Sequence, residues 1–169
     1  MKPQHPTGLA LGLALGLALV ASAAGPARAE LIAHKDLSLD TAVTMATTAI
    51  ATCRANGYKV SSTVVGRAGE VILQLRGDGT GPHTMENSFR KAYTARTFRV
   101  PSGEIVERLK QNPQLGLIHL TNVIAAQGAL PITVGGDVIG AIGVSGAPGG
   151  EKDEVCAKAG IDKVADQLK

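Results

Sequence analysis

Few side chains in this 169-residue chain carry chemistry, and their types narrow what that chemistry can be. Beyond His5 near the N-terminus the histidines are His34, His83 and His119, with Met45, Met85, Tyr58 and Tyr93 as weaker donors. Such residues ligate metals or haem iron. His83 has the strongest case. It closes the glycine-rich run Arg76-Gly77-Asp78-Gly79-Thr80-Gly81-Pro82, and a basic stretch with Arg90, Lys91, Arg96 and Arg99 follows it. Those cations can pair with carboxylates such as haem propionates. A lone histidine is more often a surface or packed residue, and a basic helix more often a solvated face or an oligomer contact.

Other standard constellations are missing. The chain has no Gly-x-Ser-x-Gly elbow, Cys-x-x-Cys, His-Glu-x-x-His or P-loop. Ser145, in Val144-Ser145-Gly146, reads as a strand-end serine. Gly146-Ala147-Pro148-Gly149-Gly150 opens a helix and could cradle an anion, but Glu151, Asp153 and Glu154 already occupy the positive helix end and repel one. Arg76-Gly77-Asp78 reads as a turn and not as an adhesion signal.

The elements that must position these residues follow from pattern. Ser38 caps a first helix whose apolar stripe is Leu39, Val43, Ala46, Ile50 and Cys53, and Asn56-Gly57 ends it. Lys59 to Val65 and Glu70 to Leu75 form a hairpin about Gly66-Arg67-Ala68-Gly69. Thr84 caps a second helix running to about Phe98, with Asn87 at its third position. A short third helix spans Glu104 to Gln111, closed by Pro113. Leu115 to Ala126 fits a strand or an irregular packed segment. Leu130 to Gly146 is a second hairpin, turning at Gly135-Gly136-Asp137, and glycines 140, 143 and 146 imply bends or close approach by another backbone or a flat ligand. A last helix starts near Glu151, with Ala157, Ile161, Val164 and Leu168 inward and Gly160 weakening its middle. This order predicts an α/β (α+β) fold with an antiparallel sheet of about five strands and helices on its faces.

The N-terminus carries an address. Lys2, an apolar run from Gly8 to Ala24 and Ala27-Arg28-Ala29 make residues 1–29 a signal peptide, leaving 30–169 as a single domain exported to the periplasm or beyond. Removing those residues takes Lys2 and Arg28 and no acid, so the formal charge falls from +3 to +1. No dense basic block remains, and nucleic acid is a poor partner. With no Trp, two Tyr and two Phe, the core must be aliphatic. Cys53 and Cys156 permit one disulfide in an oxidising compartment, or serve as buried small hydrophobes.

Several blocks together resemble one family. Pro131-Ile132, the run Gly135-Gly136-Asp137-Val138-Ile139-Gly140-Ala141-Ile142-Gly143-Val144-Ser145-Gly146-Ala147, then Asp153-Glu154 and Ala159-Gly160, are similar to the signature of the GlcG/HbpS, or haem-degrading domain, family. Val65 with Gly69, the Arg76-Gly77-Asp78 loop and Lys91-Ala92-Tyr93-Thr94-Ala95 match its other blocks. The resemblance implies a profilin-like three-layer α/β/α fold and homo-oligomers. It also implies haem and iron as cofactors in exported members, with links to haem degradation or to sensing beside a membrane kinase. Other members belong to glycolate- or corrinoid-related settings. Within the Lys-Ala-x-Thr-Ala block it offers Thr94 as an iron contact. The expected reading is an exported haem-binding protein. His83 or Thr94 approaches the metal, Arg90, Lys91 or Arg96 meets propionates, and the question of catalysis stays open. The alternatives are a glycolate- or corrinoid-related accessory protein or enzyme, and a structural or sensory oligomer acting on a sensor kinase.

Overall fold

The computed structural model describes residue 1 and residues 29–169, so the expected leader lies almost wholly outside the described residues. The described residues divide into two units, Met1–Ala33 and His34–Lys169, and the second carries the fold. In chain order it contains α1 (Leu39–Ala55), β1 (Ser61–Val65), β2 (Val71–Arg76), α2 (His83–Phe98), α3 (Ser102–Gln111), β3 (Ala129–Val134), β4 (Asp137–Ser145) and α4 (Gly150–Lys163). Short 3-10 turns occupy Gly116–His119 and Ala165–Gln167. The strands form one antiparallel sheet in the order β2-β1-β4-β3.

Among the described residues four strands are present where about five were expected. The uncertain segment Leu115 to Ala126 is a 3-10 turn and irregular chain. Asn122 adopts φ 68°, which a strand cannot accommodate. Side chains of α2, and not a strand ladder, satisfy the segment's backbone near Ile124.

Helices cover both faces, giving three layers. On one side α1 and α4 pack over Val60, Val64, Ile132, Ile142 and Val144. On the other, α2 lies on Val65, Ala129 and Ala141 through Ala92 and Ala95. Strand alternation sorts β1 between them. Ser61 and Thr63 face α2, where their hydroxyls meet Thr84 at 2.8 Å and Ser88 at 2.7 Å. The α2 interface is therefore small and polar, whereas the α1/α4 interface is apolar. At Gly143 a Cβ would stand 2.2 Å from the carbonyl oxygen of Ser88, so its role is to admit the α2 backbone, not a flat ligand.

The stripe expected on α1 is rotated. Ala42, Met45, Ala46, Ala49 and Cys53 are buried, while Leu39 is 57% and Val43 38% exposed. Close packing of α1 on α4 explains this. A Cβ at Gly160 would come within 2.6 Å of the Met45 carbonyl oxygen, so the two backbones meet closely there, with the alanines and Met45 buried while Leu39 and Val43 turn outward. Gly160 thus serves a contact and does not merely weaken α4. Cys53 and Cys156 are disulfide-bonded, tying α1 to α4 across 103 positions of sequence.

The start of α2 also differs from expectation. Thr84 is not the cap. The helix begins at His83 after Pro82, and the buried Thr84 hydroxyl donates to the Gly81 carbonyl at 2.8 Å. His83 consequently becomes the first helical residue and stays exposed.

Candidate functional site

At the end of the sheet where β1 begins and β4 finishes, α2 and α3 frame a cleft of about 460 Å³. His83, Asn87 and Lys91 line it from α2, Val106 and Lys110 from α3, and the Ser145–Gly150 loop closes the far side. The spacings of four and four along α2 put the first three on neighbouring turns of one face.

His83 stands at the mouth with its ring folded back over Gly81, where an added Cβ would meet Cε1 at 2.8 Å. Neither of its ring nitrogens hydrogen-bonds to another described residue, so both remain available to a ligand. His34 differs, because its Nε2 lies 3.2 Å from Asp36. His119 is exposed on the Gly116–His119 turn. Among the described residues no cluster of three or more His, Cys, Asp or Glu side chains could hold a metal ion.

The floor of the cleft is an ion pair. Lys91 Nζ donates to Asp153 Oδ2 at 2.8 Å and to the Val144 carbonyl at 3.2 Å, and Asp153 Oδ1 accepts from the Ala147 N–H at 3.0 Å. The two side chains are 7% and 3% exposed. Burial raises the Asp153 pKa, against the pull of Lys91 and the Ala147 N–H. Gly128 fits above the pair at φ 131°, where a Cβ would come within 2.8 Å of both Lys91 Nζ and Asp153 Cβ. Sequence reasoning assigned Asp153 to the α4 dipole and Lys91 to a ligand carboxylate. The structure pairs them with each other, because α2 and α4 cover opposite faces of the sheet and their side chains meet past the end of β4.

Arg90 and Thr94 lie on the same side of α2, one and two turns beyond Asn87, and hold the segment before β3. Arg90 donates to the Val123 carbonyl at 2.7 Å and sits 3.6 Å from Glu86. Thr94 is fully buried; its hydroxyl donates to the Arg90 carbonyl at 2.8 Å and accepts from the Ile124 N–H at 2.9 Å. A ligand reaching Thr94 would have to displace that segment.

Arg96 does not join the others. It lies about 20 Å along the axis from His83 and on a different face. There it neighbours Arg67, Arg99, Asp137 and Glu70, and its buried Nε has no partner among the described residues. Desolvation, then repulsion from Arg99 and Arg67, lowers its pKa. The expected set thus separates into His83 and Lys91 in the cleft, Arg90 and Thr94 beside it, and Arg96 at the hairpin turns.

Comparison with known proteins follows the same fold. Residues 37–162 match the family model of HbpS-like haem degrading proteins. Over 102 residues the chain is 34% identical to an uncharacterised 15.0 kDa protein of the dhaT–dhaS intergenic region of Citrobacter freundii, covering 59% of this chain and 71% of that one. A double mutant of HbpS from Streptomyces reticuli superposes with TM-score 0.75 at 36% identity, over 83% of this chain and 97% of that one. PduOC in complex with haem shares the fold, with TM-score 0.69 and 20% identity over 75% and 94% of the two chains.

Proposed function

Since this chain belongs to the HbpS-like haem degrading protein family, we propose that it is an exported haem-binding protein that takes haem in the cleft beside His83. One observation carries the assignment of the iron contact. His83 offers an imidazole without a hydrogen-bond partner among the described residues at the cleft mouth, whereas Thr94 is sealed within the fold. The haem complex of PduOC, which shares the fold, supports the choice of ligand.

The cleft presents more polar than apolar surface, so its fit to haem rests on the His83 imidazole at the mouth. An imidazole is a common ligand of haem iron, and His83 would hold the iron while Val106, Ala147 and Pro148 would supply the apolar part of the wall. Arg90 lies about 10 Å along α2 from His83, a reach suited to a propionate. Lys91 is already neutralised by Asp153 and shapes the floor. Haem, when bound, supplies any redox chemistry. The chain's own part is to bind the ring, fix its orientation and hold its carboxylates. Degradation therefore enters only as chemistry of the bound iron.

Export belongs to the same reading, supported by Ala27-Arg28-Ala29 and by the Cys53–Cys156 disulfide. Homo-oligomers and a membrane kinase partner are its further expectations. Hemin titration of the mature chain is the test. A saturable Soret shift at micromolar hemin is expected, weakened roughly tenfold in His83→Ala and unchanged in Arg96→Gln. No saturable shift, or a His83→Ala titration identical to the parent, rejects the proposal.

A further inference from the structure

A second cleft opens at the same end of the sheet on the opposite face, between the last turns of α1, the start of β1 and the end of β2. Its volume is about 370 Å³, and Ile50, Tyr58, Val60 and Leu75 form its walls. Arg54, Lys59 and Arg76 stand around it, against one carboxylate, Asp78. Lys152 of α4 adds a fourth cation, with Nζ 5.5 Å from the Tyr58 ring centroid.

None of these four cations is in an ion pair among the described residues, although most other basic side chains of the fold have a carboxylate within reach. Arg76 is nevertheless held in place. Its guanidinium donates to the Thr80 carbonyl at 3.0 Å and to the Thr80 hydroxyl at 3.3 Å, and Thr80 is itself buried. Those acceptors orient the group without neutralising it. The cleft therefore combines an apolar wall with positive charge in excess of its one carboxylate, Asp78, which pairs with none of these cations among the described residues.

Each feature alone selects a different ligand, and together they select one. A small inorganic anion would leave the Ile50, Tyr58 and Leu75 surfaces unused. A neutral hydrophobe would bury apolar area beside cations it cannot satisfy. We propose that this cleft binds a small organic carboxylate with a flat apolar body, the body against Tyr58 and Leu75 and the carboxylate between Arg54 and Arg76. Arginine suits that role because its planar fork matches a carboxylate. The site is separate from the His83 cleft, so it stands or falls without the haem reading.

Phenylacetate and its neutral counterpart 2-phenylethanol, titrated into the mature chain and followed by amide chemical shifts, test the proposal. Phenylacetate should saturate, with shifts at Tyr58, Lys59 and Gly77, and bind roughly tenfold more tightly than the alcohol. Arg54→Gln, on an exposed helix turn, should remove that preference, and added salt should weaken it. His83→Ala should bind phenylacetate as the parent does. Failure to saturate by about 10 mM, equal binding of the alcohol, shifts confined to another region, or an unaltered preference in both Arg54→Gln and Arg76→Gln would each overturn it.

Discussion

Lys91 and Asp153 meet 2.8 Å apart, almost out of reach of solvent, joining α2 to α4 at the floor of the His83 cleft. Each side chain comes from a helix on a different face of the sheet, and the pair spans the end of β4 where the sheet no longer separates them. An ion pair taken out of water gains little over an apolar pair of the same shape, but losing one partner strands the other.

Lys91→Met should accordingly cost about 3–5 kcal/mol by urea unfolding near neutral pH. Lys91→Met combined with Asp153→Leu should recover most of that loss. The pH dependence has a definite sign. The folded-state pKa of Asp153 is raised by burial, so its contribution to stability is complete below the unfolded carboxylate range and declines as pH rises through the folded value. Removing Lys91 takes away an opposing attraction, so the deficit of Lys91→Met should shrink on acidification. A deficit independent of pH contradicts this account.

At the far end of the sheet the sign is opposite. Arg67 bridges the two hairpin turns, with Nη1 2.6 Å from Asp137 Oδ2, and that hydrogen bond lowers the Asp137 pKa. The contribution is present above the ordinary carboxylate value of 3.8 and is lost as pH falls through the depressed one. Asp137→Asn should flatten the acid limb of a stability–pH curve, and the difference should fade in high salt because both groups reach solvent. An unchanged acid limb rules this out.

The Cys53–Cys156 bridge closes a loop of 103 positions. Its loss should destabilise the fold by about 2–4 kcal/mol, chiefly by freeing the unfolded chain. Urea unfolding of Cys53→Ser/Cys156→Ser, or of the parent with reductant, measures it. Equal midpoints with and without reductant would show the bridge to be dispensable.

Ser62 lies in β1 with its hydroxyl buried and unpaired, next to the apolar layer beneath α1 and α4. Ser62→Ala should stabilise the protein by roughly 1 kcal/mol, since it removes a desolvated polar group and leaves little space. A lower melting temperature for Ser62→Ala would mean that the hydroxyl has a partner after all.

Much of the fold was legible because local pattern and burial agree over most of its elements. Ser38 caps α1, accepting from the Thr41 N–H at 3.2 Å, and both glycine-turned hairpins pair antiparallel as expected, each with one register shift near its turn. Pattern failed where neighbours decided orientation. Leu39 and Val43 looked inward by periodicity, yet the close α1–α4 approach at Gly160 sets the helix so that Ala42, Met45, Ala46 and Ala49 are buried instead. Thr84 looked like a cap, yet Ser61 of a neighbouring strand and the Gly81 carbonyl claim its hydroxyl.

The candidate site divides along the same line. Residue types alone singled out His83 after its glycine run and gathered the cations onto one helix, because those properties are local. Only the packed structure decided which cations were free. Lys91 had no visible partner until α4 brought Asp153 to it, and Thr94 no visible burial until the segment before β3 folded over it. Charge and hydrogen-bonding capacity belong to a residue, but whether they remain available depends on what the tertiary structure sets against them.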